Sequence, residues 1–220
     1  MRVLVIAAHP DDELLGLGGT IRRHVLAGDT VRSWIVCEGI SMRYDEAHRR
    51  RLDEHVRRAA SILGVTDVVH GDLPDQKLDT LPLVEIIAHV EAQVADFRPD
   101  AVYVHFGGDV NHDHRQLFRA AQVALRPYAA PGVKEFLAFE TPSSTEWGAP
   151  AVQGSFTPEI FVDITTTLEA KIEAFLAYEK EVRPAPHPRS PESLRARART
   201  WGSVIGVDAA EPFQVVRIIR

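Results

Sequence analysis

Apolar residues run without a break through Val3–Ala8 and again through Ala101–Phe106. Runs this short and this continuous mark strands covered on both faces. Between them the period changes. Leu14, Leu17, Ile21 and Val25 recur at helical spacing across Glu13–Ala27, and Gly28-Asp29 ends the pattern. Val31–Cys37 reads as a second strand, and a basic amphipathic helix follows from about Glu46 to Leu63, ending at Gly64. Asp67–His70 is a short third strand, Leu81–Phe97 a helix closed by Pro99, Ala101–Phe106 the fourth strand and Arg115–Leu125 the fourth helix. This alternation predicts an α/β fold: a mainly parallel, Rossmann-like sheet with helices on both faces. The C-terminal part is less regular. Val133–Glu140, Glu159–Asp163 and Val215–Ile219 read as strands and Thr166–Ala177 as a helix. Residues 141–157 and 183–192 are rich in Pro, Ser and Gly and read as loops long enough to carry function. No repeat or linker divides the chain, so we read residues 1–220 as a single domain.

The composition fits a globular chain, 45% hydrophobic and 25% charged, and the net charge of −6 lacks the basic footprint of a nucleic-acid binder. The opening "MRVLVIAAHPDDE" does not read as a signal peptide, because its apolar run is short and acids follow at once. No apolar stretch is long enough to insert in a membrane. The single cysteine, Cys37, lies inside an apolar run, reads as a small buried hydrophobe and cannot form an internal disulfide, which fits a reducing cytoplasm. Ten histidines are many for this length and direct attention to metal or proton chemistry.

Two stretches combine histidine with carboxylates where a predicted strand ends: "AHPDDE", residues 8–13, and "GGDVNHDHR", residues 107–115. In parallel sheets ligands collect beyond the carboxyl ends of strands. Crowded acids repel one another and cost desolvation energy unless something positive binds there. Each stretch alone has a plainer reading. Asp11, Asp12 and Glu13 precede a helix and suit its free N–H groups and dipole, and Asp113 would serve as a cap in the same way. Two such stretches at two strand ends offer the two histidines and one carboxylate of a catalytic metal centre with an open position. The "LGLGG" of residues 15–19 looks like a phosphate loop, but the acids before it would repel phosphate, so these glycines read as close helix–sheet packing.

"AHPDDE" resembles the signature of the PIG-L/LmbE family of zinc-dependent deacetylases, which remove acetyl groups from N-acetylglucosaminyl compounds. "DDELLGLGGTI" continues that motif, "DVNHDHR" is similar to the family's second one, and "VDITTTLEAKIEAF" with "HPRSPESLRARARTWGSVIGVDAAEPF" resembles its C-terminal half. The resemblance implies zinc (Zn2+) held by His9, Asp12 and His114, with Asp11 as general base and Asp113 orienting a neighbouring histidine. Family members often read His-x-Asp-His in the second motif, the first histidine polarising the substrate carbonyl. Here Asn111 stands in that place and a histidine follows at His112, so either is a candidate for the helper. An arginine before the second helix holds the sugar in the family, and Arg51 lies nearest to it. His187 and Arg189, in the proline-held loop "RPAPHPRSPES", are candidates for a wall against the substrate.

The chemistry is coherent without the family. Amide hydrolysis needs a nucleophile, a polarised carbonyl and a proton for the departing amine, and one acid can hold the metal while its neighbour moves protons. The expected partner is a small N-acetylated sugar conjugate, and a homo-oligomer is left open. Two other readings use the same residues. A non-haem iron oxygenase also takes two histidines and a carboxylate, but on an expected all-β double sheet. A domain that only binds a sugar or nucleotide would have no need of Asp11 beside the ligands.

Overall fold

The computed structural model describes residues 1–39 and 46–220, with the backbone alone over 46–50. One seven-stranded sheet organises it. Strands β1 (Arg2–Ala7), β2 (Thr30–Cys37), β3 (Asp67–Leu73), β4 (Ala101–His105) and β5 (Glu135–Phe139) run parallel to one another, and β7 (Ala210–Ile218) runs antiparallel between β5 and β6 (Ile160–Asp163). The strand order is β3-β2-β1-β4-β5-β7-β6. Helices α1 (Asp12–Leu26), α2 (Glu46–Leu63), α6 (Leu168–Leu176) and α7 (Pro191–Ile205) cover one face, α3 (Leu83–Phe97) and α4 (His112–Ala124) the other, and α5 (Pro150–Gln153) is a single turn in a loop.

The unbroken apolar strands follow from this layering. Val3 and Val5 pack under α1 and α2, while Leu4 and Ile6 point to the opposite core with residues of α3 and α4. Alternation across a strand serves two buried faces at once. The same layering fixes where a ligand can sit. After β1 the chain crosses to the α1 face, and after β4 it crosses to the α4 face. Since β1 and β4 are neighbours, their two following loops diverge and leave a crevice at their carboxyl ends.

Several elements differ from the sequence reading. Helix α4 starts at His112 rather than Arg115, because Asn111 caps it by accepting the Asp113 backbone N–H at 2.9 Å. The last strand starts at Ala210, ahead of Pro212. That proline is tolerated because residues 210–212 pair only with β6, and pairing with β5 begins at Phe213. Helix α7 has no counterpart in the periodicity. Its buried stripe is Leu194, Ala198 and Gly202, too small to register as an apolar face, although Ser190 caps it and Gly206 ends it in the left-handed region. Among the described residues no helix is long and apolar enough to cross a membrane.

The glycines of "LGLGG" do mark close packing. A Cβ on Gly16 would stand 2.3 Å from the Phe139 ring, and one on Gly19 would stand 2.9 Å from Ile164. Helix α1 breaks its geometry at Leu17, and the buried Glu211 carboxylate accepts the amides of Gly19 (3.0 Å) and Thr20 (2.7 Å) beyond the break. Lys171, also buried, neutralises Glu211 at 2.6 Å and donates to the Leu15 carbonyl. Lys171→Met leaves that carboxylate buried without its cation, which is expected to cost about 3–5 kcal/mol of stability in urea unfolding. A loss below about 1 kcal/mol would show that the two backbone amides alone suffice for Glu211.

Candidate active site

The loop after β1 brings His9, Asp11 and Asp12 to the crevice floor. Asp11 takes a left-handed φ of 101°, unusual for a residue with a side chain, and makes no capping hydrogen bond to α1. Its backbone N–H instead donates to Glu13 Oε2 at 3.2 Å. The capping explanation of these acids is therefore not the one the structure uses for Asp11. Burial, then the charges of Asp12, Glu181 and Glu13, push its carboxyl well above the usual carboxylate range, with Arg189 pulling the other way. Glu13 is likewise raised by burial, to about 8.

Asp12 is the centre of the arrangement. Its Oδ2 lies 3.1 Å from His9 Nδ1 and 3.2 Å from His114 Nε2. One donor atom from each of His9, Asp12 and His114 lies within 4.8 Å of the other two. His114 comes from the first turn of α4, so the triplet closes across the two diverging loops. Burial opposes charge on Asp12, but the facing His114 and His105 rings hold its carboxyl well below the usual range.

Each histidine is backed by a further carboxylate. Asp113 lies 2.9 Å from His9 Nε2 and accepts the backbone amides of Gln76 (2.7 Å) and Leu78 (3.0 Å). Asp109 Oδ2 lies 3.3 Å from His114 Nδ1, and Asp109 also accepts Thr145 Oγ1 at 2.7 Å and the Ser144 hydroxyl. Burial disfavours the charged imidazoles, yet these carboxylates and Asp12 raise His9 to about 10 and His114 to about 9. Burial would also raise Asp109, but His114, Ser144 and the Asn111 amide bring it down to about 2. The carboxylates of this centre, here facing two imidazoles, are also a set that could balance a bound cation. Two nitrogens and one oxygen, each histidine with a further carboxylate beside it, fit a divalent ion such as zinc. His9, Asp113 and Cys37 also lie close together, and burial and then the surrounding carboxylates push the Cys37 thiol up.

His105, at the end of β4, was not singled out in the sequence and is fully buried in this centre. Its Nε2 accepts the Ala8 N–H at 2.9 Å, and its Nδ1 faces Thr141 Oγ1 at 2.9 Å. Its ring stacks on His114 with centroids 3.8 Å apart. Burial and the facing His114 push its pKa well down, which agrees with a neutral ring accepting a backbone amide.

The crevice has a volume of about 580 Å³, with Asn111, Ser143, Trp147, Tyr178, Glu181 and Arg189 among its walls. Arg189 reaches from the proline-held loop to Asp11 Oδ2 (3.0 Å), Glu181 Oε2 (2.8 Å) and Ser143 Oγ (2.7 Å). It lines the crevice and also touches the floor. Asp113 lies behind the lining, fully buried, and three other candidates also fall outside it. His112 is exposed, because residues two apart on a helix do not share a face and His114 points inward. Arg51 is exposed on α2, whose Leu52 and His55 face the crevice instead. His187 packs edge-on against Trp147, with centroids 6.1 Å apart.

Fold and site together define an α/β protein with a two-histidine, one-carboxylate centre at the switch point of its sheet. The chain belongs to the GlcNAc-PI de-N-acetylase (PIG-L) family, whose profile matches residues 4–125 of its 220. It is similar to the diacetylchitobiose deacetylase of Thermococcus kodakarensis, 26% identical over 98% of this chain and 83% of that one. A conserved protein of Thermus thermophilus superposes with a TM-score of 0.82 at 26% identity, covering 99% of this chain and 96% of that one. A 4-carboxy-2-hydroxymuconate hydratase of Pseudomonas putida shares the fold at 21% identity and a TM-score of 0.72, covering 100% of this chain and 98% of that one. The fold thus carries more than one reaction, and the choice between them rests on the site's residues.

Proposed function

We propose that the chain is a zinc-dependent hydrolase that removes the N-acetyl group from a GlcNAc-type sugar conjugate. The observation that carries this reading is the convergence of His9, Asp12 and His114 with Asp11 beside them, supported by the family and by the named activity of the Thermococcus relative. His9, Asp12 and His114 would hold the ion. Such an ion supplies Lewis acidity and lowers the pKa of bound water towards ~7. Asp11 takes the proton of the attacking water and hands it to the leaving amine. Asp113 and Asp109 orient His9 and His114. Asn111 spends Oδ1 on the helix cap and turns its amide NH₂ to the task of holding the developing oxyanion.

The iron-oxygenase alternative was tied to an all-β scaffold, and the parallel α/β sheet removes that support. The test of the proposal is release of primary amine from a panel of N-acetylated amino sugars and their conjugates. Amine release from at least one member is expected, and none from N-acetylated amino acids or simple acetanilides. Release from the latter group alone would refute the sugar assignment.

The outer carboxylates give a separate prediction. Asp113→Asn and Asp109→Asn are each expected to weaken metal affinity by about 10–100-fold, measured by competition with a chromophoric chelator. Unchanged affinity in both variants would mean that the histidines need no orienting partner.

A further inference from the structure

Helix α1 does not start as α4 and α7 do. Asn111 and Ser190 cap those helices from an extended backbone, with φ of −70° and −80°, and each side chain accepts an amide of its helix. Asp11 occupies the same place before α1, but its φ is 101° and its carboxylate accepts no helix amide. Its carbonyl still takes the Leu14 and Leu15 N–H groups, at 3.0 and 2.9 Å, so the helix is nucleated all the same. What the left-handed turn changes is the side chain. It leaves the helix end and lines the crevice, with Oδ2 against Arg189.

Such a backbone is disfavoured for a residue with a Cβ and persists only where its surroundings hold it. Glu13 supplies that hold. Its Oε2 accepts the buried Asp11 N–H at 3.2 Å, and its Oε1 faces the Tyr178 hydroxyl at 3.5 Å. This is one half of a capping box, in which a first-turn acid reaches back to the N-cap amide while the N-cap side chain bonds forward to the helix. Here the acid stands one residue earlier than in the usual box, and the forward bond is missing. Glu13 is itself buried and does not line the crevice, so it acts on Asp11 and not on a ligand.

We infer that Glu13 is a positioning residue: as a hydrogen-bond acceptor it fixes the Asp11 backbone and so aims the Asp11 carboxylate into the crevice. The catalytic consequence rests on the proposed hydrolase, in which Asp11 moves the proton, whereas the hold on the Asp11 amide does not. A misplaced base costs rate rather than substrate affinity, and a shift of about 1 Å can cost about 10²-fold.

The test crosses two substitutions in the full-length chain. Glu13→Gln keeps the length and an oxygen acceptor but loses the acid. Glu13→Asp keeps the acid but is one methylene too short. With zinc loaded and an N-acetylated amino sugar conjugate as substrate, Glu13→Asp is expected to lower kcat by about 10–100-fold, with KM and metal content unchanged, and Glu13→Gln by less than about fivefold. In an Asp11→Asn background Glu13→Asp is expected to cost less than about threefold more, because it acts through a group already removed. Hydrogen exchange at the Asp11 amide, followed by NMR on metal-stripped chain, is expected to quicken at least about tenfold in Glu13→Asp and to stay near wild type in Glu13→Gln. The reverse order, with Glu13→Gln the more damaging, would make Glu13 a carrier of charge or protons and overturn the inference. So would fully multiplicative losses in the double variant, or an Asp11 amide that exchanges no faster in Glu13→Asp. Should Glu13→Asp not fold, Glu13→Met, which fills the space without an oxygen, is measured in its place with the same expectations. Faster exchange in a chain whose wild type releases no acetate from any conjugate would sustain the hold on Asp11 and refute the hydrolase, and acetate release with unchanged exchange would do the reverse.

Discussion

Asp11→Asn is expected to lower kcat by about 10²–10⁴-fold, the usual range for loss of a general base, while one metal ion stays bound. Asparagine has nearly the same shape as aspartate and cannot take a proton. The metal is expected to stay because the Asp11 carboxylate is not among the converging donor atoms, which come from His9, Asp12 and His114. The left-handed backbone at residue 11 is also tolerated by asparagine, so the loop geometry survives the change. Arg189 loses a charged partner at Oδ2 but keeps Glu181 and Ser143. Turnover near the wild-type rate would move the base elsewhere. Asp113 would then be the next candidate, since His112 points into solvent.

The second large effect concerns the metal. His114→Ala removes one nitrogen of the triplet and is expected to abolish both stoichiometric metal and activity. His114 also neutralises Asp12 and Asp109, both buried, so its loss leaves two carboxylates short of a partner. Destabilisation of a few kcal/mol is expected from that alone. His114→Gln separates the two effects, because glutamine fills the space and hydrogen-bonds to the carboxylates yet is a poor ligand. Metal analysis of that folded variant should show well under one equivalent. A full equivalent retained by either variant contradicts the assignment of His114.

The sequence showed the two strand-end clusters because their residues are contiguous, and the β-α alternation placed both at the same edge of one sheet. It did not show which strands are neighbours. The pairing of β1 with β4 turns two clusters about a hundred residues apart into one centre. His105 lay in plain view at the end of "AVYVHF", but a lone histidine in an apolar strand has no periodic signal, and only its stacking on His114 shows its place. Asp109 was hidden in the same way, two residues before a helix cap that draws the eye first. Of the candidates that missed the crevice, His112 and Arg51 were chosen by position along the chain. Helix rotation decides which way they face, and in the first turn of α4 it is His114, not His112, that is buried. Arg189 lines the crevice and also reaches Asp11 across 178 residues. No local pattern encodes a contact of that range.

The central claim is that this centre hydrolyses an acetamide with a bound divalent ion. The most direct measurement is made on chain stripped of metal and then reloaded with one equivalent of zinc, with acetate and primary amine quantified together on an N-acetylated amino sugar conjugate. The account predicts no release from the stripped chain, and after reloading acetate and amine in equal amounts, with further zinc adding nothing. Equal release before and after reloading, or a reloaded chain that releases neither product from any conjugate tested, would contradict it.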